Sequence, residues 1–61
     1  MNEQEAIELA QKTADLHGWV MAVYFNPYAE YETDAWGYMP KEALFNFRHH
    51  ELRHTLTPGS K

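Results

Sequence analysis

Sixty-one residues hold at most one small domain, and a chain this short buries only roughly 60% of the surface it exposes when unfolded. It contains no cysteine, which excludes disulfides and thiolate metal sites and leaves a dense aromatic core, self-association or histidine-bound metal to reinforce it. The formal net charge of −4 argues against a general binder of phosphate backbones, and neither a membrane-length apolar run nor a secretory leader is present, so the expected setting is cytosolic.

The charge is unevenly spread. Seven acids stand against Lys12 alone up to Asp34, whereas Lys41, Arg48, Arg53 and Lys61 outnumber Glu42 and Glu51 afterwards. Three of the four histidines fall in that weakly basic second part.

In chain order, Asn2 to His17 is predicted to be an amphipathic helix. Asn2 can cap it, Glu5 completes an Asn-x-x-Glu capping box, and Glu3 and Glu5 suit the positive end of the helix dipole. Ala6, Ile7, Leu9, Ala10, Thr13, Ala14, Leu16 and His17 share one side at 100° per residue, opposite Gln4, Glu5, Glu8, Gln11, Lys12 and Asp15. Gly18 supplies the left-handed residue that ends a helix, with Trp19 placed as the apolar contact of a Schellman motif. Ala6, Ala10 and Ala14 form a small-residue stripe, suited to close packing on a sheet or to pairing with a second copy.

Trp19 to Phe25, "WVMAVYF", is predicted to be a strand, with Trp19, Met21, Val23 and Phe25 on one face and Val20, Ala22 and Tyr24 on the other. Both faces are apolar, so the helix would cover one and a second element or second copy the other. Asn26-Pro27 ends it, and an acidic loop with two tyrosines follows. Ala35 to Met39 reads as a second, antiparallel strand, in which Gly37 marks a bulge or a close backbone approach.

Pro40 suits the first turn of a helix, which is expected to run to about His54. Its apolar positions are poorly phased, however, and the alternation of Leu52, His54 and Leu56 makes a third strand the alternative. The expected fold class is therefore α+β, a helix packed on a small antiparallel sheet, in the order α-β-β-α with α-β-β-β as the alternative. Residues 1–56 form the domain and 57–61 a flexible tail.

His50-Glu51-Leu52-Arg53-His54 reads as H-E-x-x-H. On a helix this sets two imidazoles on one face to grip zinc, with the glutamate as general base. A zinc site needs a third ligand and a cleft, and nothing after His54 supplies a ligand. His17, Glu30, Glu32 or Asp34 would have to serve from upstream. Four histidines and seven glutamates in so short a chain also make the pattern easy to meet by chance. Metal binding or metal-dependent hydrolysis on His50, Glu51 and His54, with zinc as cofactor, is accordingly the alternative reading; without it no cofactor is expected. If the motif is coincidental, zinc should add little stability, and replacing both histidines by alanine should cost little.

The leading reading is a non-enzymatic protein-interaction module. Tyr28, Tyr31 and Trp36 offer contact area at low entropic cost, and Glu30, Glu32 and Asp34 would steer a basic partner protein. A homo-oligomer is also expected. A third reading, single-stranded nucleic-acid binding, rests on Arg48, His49, His50, Arg53 and His54 interleaved with Phe45 and Phe47. The chain's economy resembles that of small accessory proteins carried by phages and other mobile elements, a likeness of style carried by no motif.

Overall fold

The computed structural model describes residues 1–59; Ser60 and Lys61, the end of the expected tail, lie outside the described residues. The fold is α+β, an N-terminal helix packed on a three-stranded antiparallel sheet with one short helix besides. Helix α1 spans Glu3–His17, and the residues at each end account for where it starts and stops. Asn2 Oδ1 accepts from the Glu5 amide at 2.8 Å while Glu5 Oε1 accepts from the Asn2 amide at 3.1 Å, which closes the capping box. At the other end Gly18 adopts φ 72°, and its amide donates to the Ala14 carbonyl.

The strands are β1 (Met21–Phe25), β2 (Trp36–Pro40) and β3 (Glu51–Leu56), in the order β2-β1-β3. Hydrogen bonding reaches one residue beyond β1, since the Lys41 amide donates to the Val20 carbonyl. Trp19 instead leaves the sheet and stacks on His17, with ring centroids 4.4 Å apart.

Side chains alternate across a strand, so β1 presents two different faces. Met21 and Val23 face α1 and form the core with Ala6, Ala10 and Ala14, flanked by Ile7, Trp36, Tyr38 and Leu56. The alanine stripe therefore lies against the sheet. Ala22 and Tyr24 point the other way, and Ala22 is also fully buried.

The helix expected from Pro40 to His54 is not formed over that length. It is cut to a single turn, α2 (Lys41–Leu44), and the second half of the segment becomes β3. The poor apolar phasing gave a long helix no stripe to bury, whereas the free edge of β1 offered β3 a full ladder of partners. Tertiary pairing overrode helix propensity.

The pairing of β1 with β3 slips between Val23 and Tyr24. Val23 pairs with His54 and Tyr24 with Leu52, leaving Arg53 as the extra residue. His54 and Leu56 thus share the helix-facing side with Val23 and Met21, and Leu52 joins Tyr24 on the opposite side.

Because β2 ends beside Met21 and β3 begins beside Phe25, residues 41–50 must run back along the length of the sheet. They end against Tyr24, on the face away from α1. Past β3, the Thr57 carbonyl accepts from Gln11 Nε2 at 2.9 Å, and the Gly59 amide donates to Asp15 Oδ1. Among the described residues, no helix is long and apolar enough to cross a membrane.

Candidate functional site

The loop between β1 and β2 is tightly wound. Asn26 Oδ1 accepts from the Tyr28 amide at 3.0 Å, an Asx turn that follows from the Asn-Pro start. The Ala29 amide donates to the Asn26 carbonyl, and the Asn26 amide to the Ala35 carbonyl across the loop's neck. A single 3-10 turn, Glu32–Asp34, closes the far side, capped by the Ala35 amide on the Glu32 carbonyl. The Met1 nitrogen donates to the Thr33 carbonyl, which sets this loop beside the start of α1.

On this frame Tyr28 and Tyr31 are 75% and 61% exposed, and Glu30, Glu32 and Asp34 are exposed as well. Trp36 has a different place. It is half-buried in β2, tilted against Phe25 at 5.1 Å between ring centroids and packed on the core. Five of the six residues expected to make the contact surface therefore project from one loop, while Trp36 lies in the sheet behind it.

The H-E-x-x-H segment is not helical. His50 precedes β3, and Glu51 and His54 lie on it. The His50 ring stacks on Tyr24 at 4.2 Å and is covered on its other side by Phe47 at 5.1 Å. His54 Nε2 instead meets Glu3 Oε2 at 2.7 Å, on the helix side of the sheet. The two imidazoles thus lie on opposite faces, and Glu51 pairs with Arg53 at 2.9 Å. Among the described residues, no group of three or more His, Asp and Glu side chains is placed to hold a metal ion. Of the upstream candidates, His17 is engaged with Trp19, while Glu30, Glu32 and Asp34 lie exposed in the loop between β1 and β2.

The basic segment is divided in the same way. Arg53 packs its guanidinium over Phe25 at 5.2 Å and near Trp36 at 6.0 Å while pairing with Glu51. Arg48 and His49 are exposed in the loop before β3, where Tyr28 meets His49 edge-on at 5.0 Å. Phe45 projects elsewhere and is 90% exposed. A shallow open groove gathers Phe47, Arg48, His49 and His50, whereas Phe45, Arg53 and His54 lie outside it.

Sequence reasoning missed the column Phe47–His50–Tyr24, which closes over Gly37. A Cβ built on Gly37 would stand 2.5 Å from Tyr24 Cζ, so the ring lies directly on the backbone of β2. The glycine in mid-strand was the available signal. The Nδ1 of His50 is buried in this column without a hydrogen-bond partner.

The role of His50 therefore differs from the one expected of a coincidental motif. His50→Ala should lower stability by about 1–3 kcal/mol through lost stacking and a void, and His50→Phe should retain most of it. Zinc in excess should move the melting temperature by less than about 1 °C, since a ligand stabilises only by RT ln(1 + [L]/Kd). Thermal melts with and without zinc check both. A zinc-dependent rise of several degrees that His50→Ala abolishes would restore the metal reading.

Compared with protein-family models, curated proteins and solved structures, the chain matches none of them.

Proposed function

We propose that this chain is a small non-enzymatic protein-interaction module, an adaptor or inhibitor that presents the loop Tyr28–Asp34 to a basic partner protein. The observation that supports it most is the pairing of a hydrogen-bonded loop backbone with two outward tyrosines set among three exposed acids. A backbone ordered before the encounter loses little further entropy on binding. Tyrosine adds large contact area with few rotatable bonds. The acids raise the rate of encounter with a positive surface. The lack of cysteine suits a reducing, cytosolic setting.

The dispersal of the basic residues favours this reading over nucleic-acid binding. Arg53 and His54 each face a carboxylate, and His50 is enclosed between rings.

The test is a pull-down with the purified chain, repeated with chelator, followed by an alanine scan of the loop against the captured protein. Tyr28→Ala and Tyr31→Ala should each cost on the order of 2 kcal/mol, mainly through faster dissociation. Glu30→Gln, Glu32→Gln and Asp34→Asn should slow association and flatten its salt dependence, with a modest loss of affinity. Loop variants that bind like the parent, together with lost binding on changing Arg48 or Arg53, would move the contact to the basic segment. Binding that disappears with chelator would count equally against the proposal.

A further inference from the structure

We infer that the end of the molecule opposite the acidic loop is a self-association surface, on which a second copy of this chain docks with two-fold symmetry. At that end Trp19, Val20, Pro40, Lys41, Glu42 and Phe45 line an open groove of about 780 Å³. Phe45 is 90% exposed, Trp19 48% and Val20 39%, which makes this an apolar surface.

Three observations point to a second copy as the occupant. The first is the thinness of the core. Its fully buried side chains are mainly alanines, and the largest are only Met21 and Val23. A short chain without disulfides gains most of its further burial from a partner subunit.

The second is area. The chain exposes 4468 Å² in all. An interface of about 1,000 Å², the lower bound for specific association, needs about 500 Å² from each copy. Phe45 and Trp19 can supply on the order of 300 Å² of that. Val20, Pro40 and the aliphatic stem of Lys41 lie beside them to supply more.

The third is charge. Two chains that each carry −4 repel, and the repulsion is smallest where the surface is locally neutral. Glu3, Glu30, Glu32, Asp34 and Glu51 all belong to the elements around the Phe25 end of β1 and the loop that follows it. The groove, at the Met21 end, is lined by one base and one acid, Lys41 and Glu42. In a two-fold contact, any pairing of Lys41 with the other copy's Glu42 occurs twice. The patch is therefore self-complementary in charge as well as apolar.

Sedimentation equilibrium of the full chain from about 1 to 300 μM is expected to show a monomer–dimer equilibrium. Phe45→Asp should raise the dimer Kd roughly thirtyfold or more, as loss of a central anchor does. Since Phe45 is almost wholly exposed in the single chain, this variant should keep the parent's circular dichroism. Lys41→Glu and Glu42→Lys should each weaken the dimer, and the double variant should recover it.

Tyr28→Ala and Leu52→Asp should dimerise like the parent. Those two results separate this surface from the loop of the proposed function and from the sheet face that carries Leu52. A parent chain that stays monomeric throughout would overturn the inference. So would Phe45→Asp dimerising unchanged, or Leu52→Asp being the variant that breaks the dimer.

Discussion

Ala10→Leu is expected to lower the melting temperature by roughly 10 °C or more, the largest loss from a single apolar substitution in this fold. Ala6, Ala10 and Ala14 are each 0% exposed, and with no side-chain atom beyond Cβ they let α1 settle close to Met21 and Val23. An isobutyl group at the middle of the stripe must lift the helix or bend it. Overpacking of this kind costs about 1–3 kcal/mol. A domain of this length holds only roughly 3–9 kcal/mol in total. Leu16→Ala makes the control, because Leu16 is 76% exposed and its truncation should change stability by no more than about 0.5 kcal/mol. Thermal denaturation followed by circular dichroism reads both. An Ala10→Leu protein that melts with the parent would mean that the helix does not sit on the sheet through this stripe.

Gly37→Val should also destabilise, against the usual expectation for mid-strand glycine. Valine is a better strand former than glycine, so an open position would gain from the change. Here the added Cβ would collide with Tyr24, held in place by His50 and Phe47 stacked above it. The ring can escape only by leaving its column, and the loss should be about 1–3 kcal/mol. A double-mutant cycle isolates the cause. In a Tyr24→Ala background the valine should cost at least about 1 kcal/mol less than in the parent. Equal costs in the two backgrounds would assign the loss to the backbone of β2 and not to the ring.

Features encoded by neighbouring residues were legible in the sequence. Asn2, Glu5 and Gly18 mark both ends of α1 through hydrogen bonds that span no more than four residues. The strand expected at Trp19–Phe25 is Met21–Phe25, and the one expected at Ala35–Met39 is Trp36–Pro40. Ala35 is used instead to cap the 3-10 turn.

The segment after Pro40 depended on distant partners. Its β identity comes from the free edge of a strand some thirty residues earlier, which no local pattern reports. The alternation of His54 and Leu56 was the correct cue, and the bulge at Arg53 turned Leu52 away from it. The same limit applies to the site. The two loop tyrosines, whose exposure is now visible, were read from their acidic surroundings, but Trp36, already inside the expected second strand, is separated from them only by its packing on Phe25 and the core. His50 looked like half of a metal motif because Tyr24 and Phe47, which enclose it, are recognisable only once the chain has crossed the sheet.

That crossing has a kinetic consequence. The central strand comes first in the chain, and β3, one of its two flanking strands, comes last. A folding intermediate made of α1, β1 and β2 would bring the helix and the first hairpin together through local closures, yet it would leave the backbone of "MAVYF" unpaired along one side. Only the return of the chain through 41–50 masks that side, and the β1–β3 pairs join residues 26 to 35 positions apart, against 11 to 19 for β1–β2, so more chain entropy is spent before they form. Docking of the final strand is therefore expected to follow closure of the first hairpin. While it is pending, the exposed edge is a template to which the β3 segment of another molecule could add, so the rate at which this strand arrives sets how much of the chain is lost to aggregation during refolding.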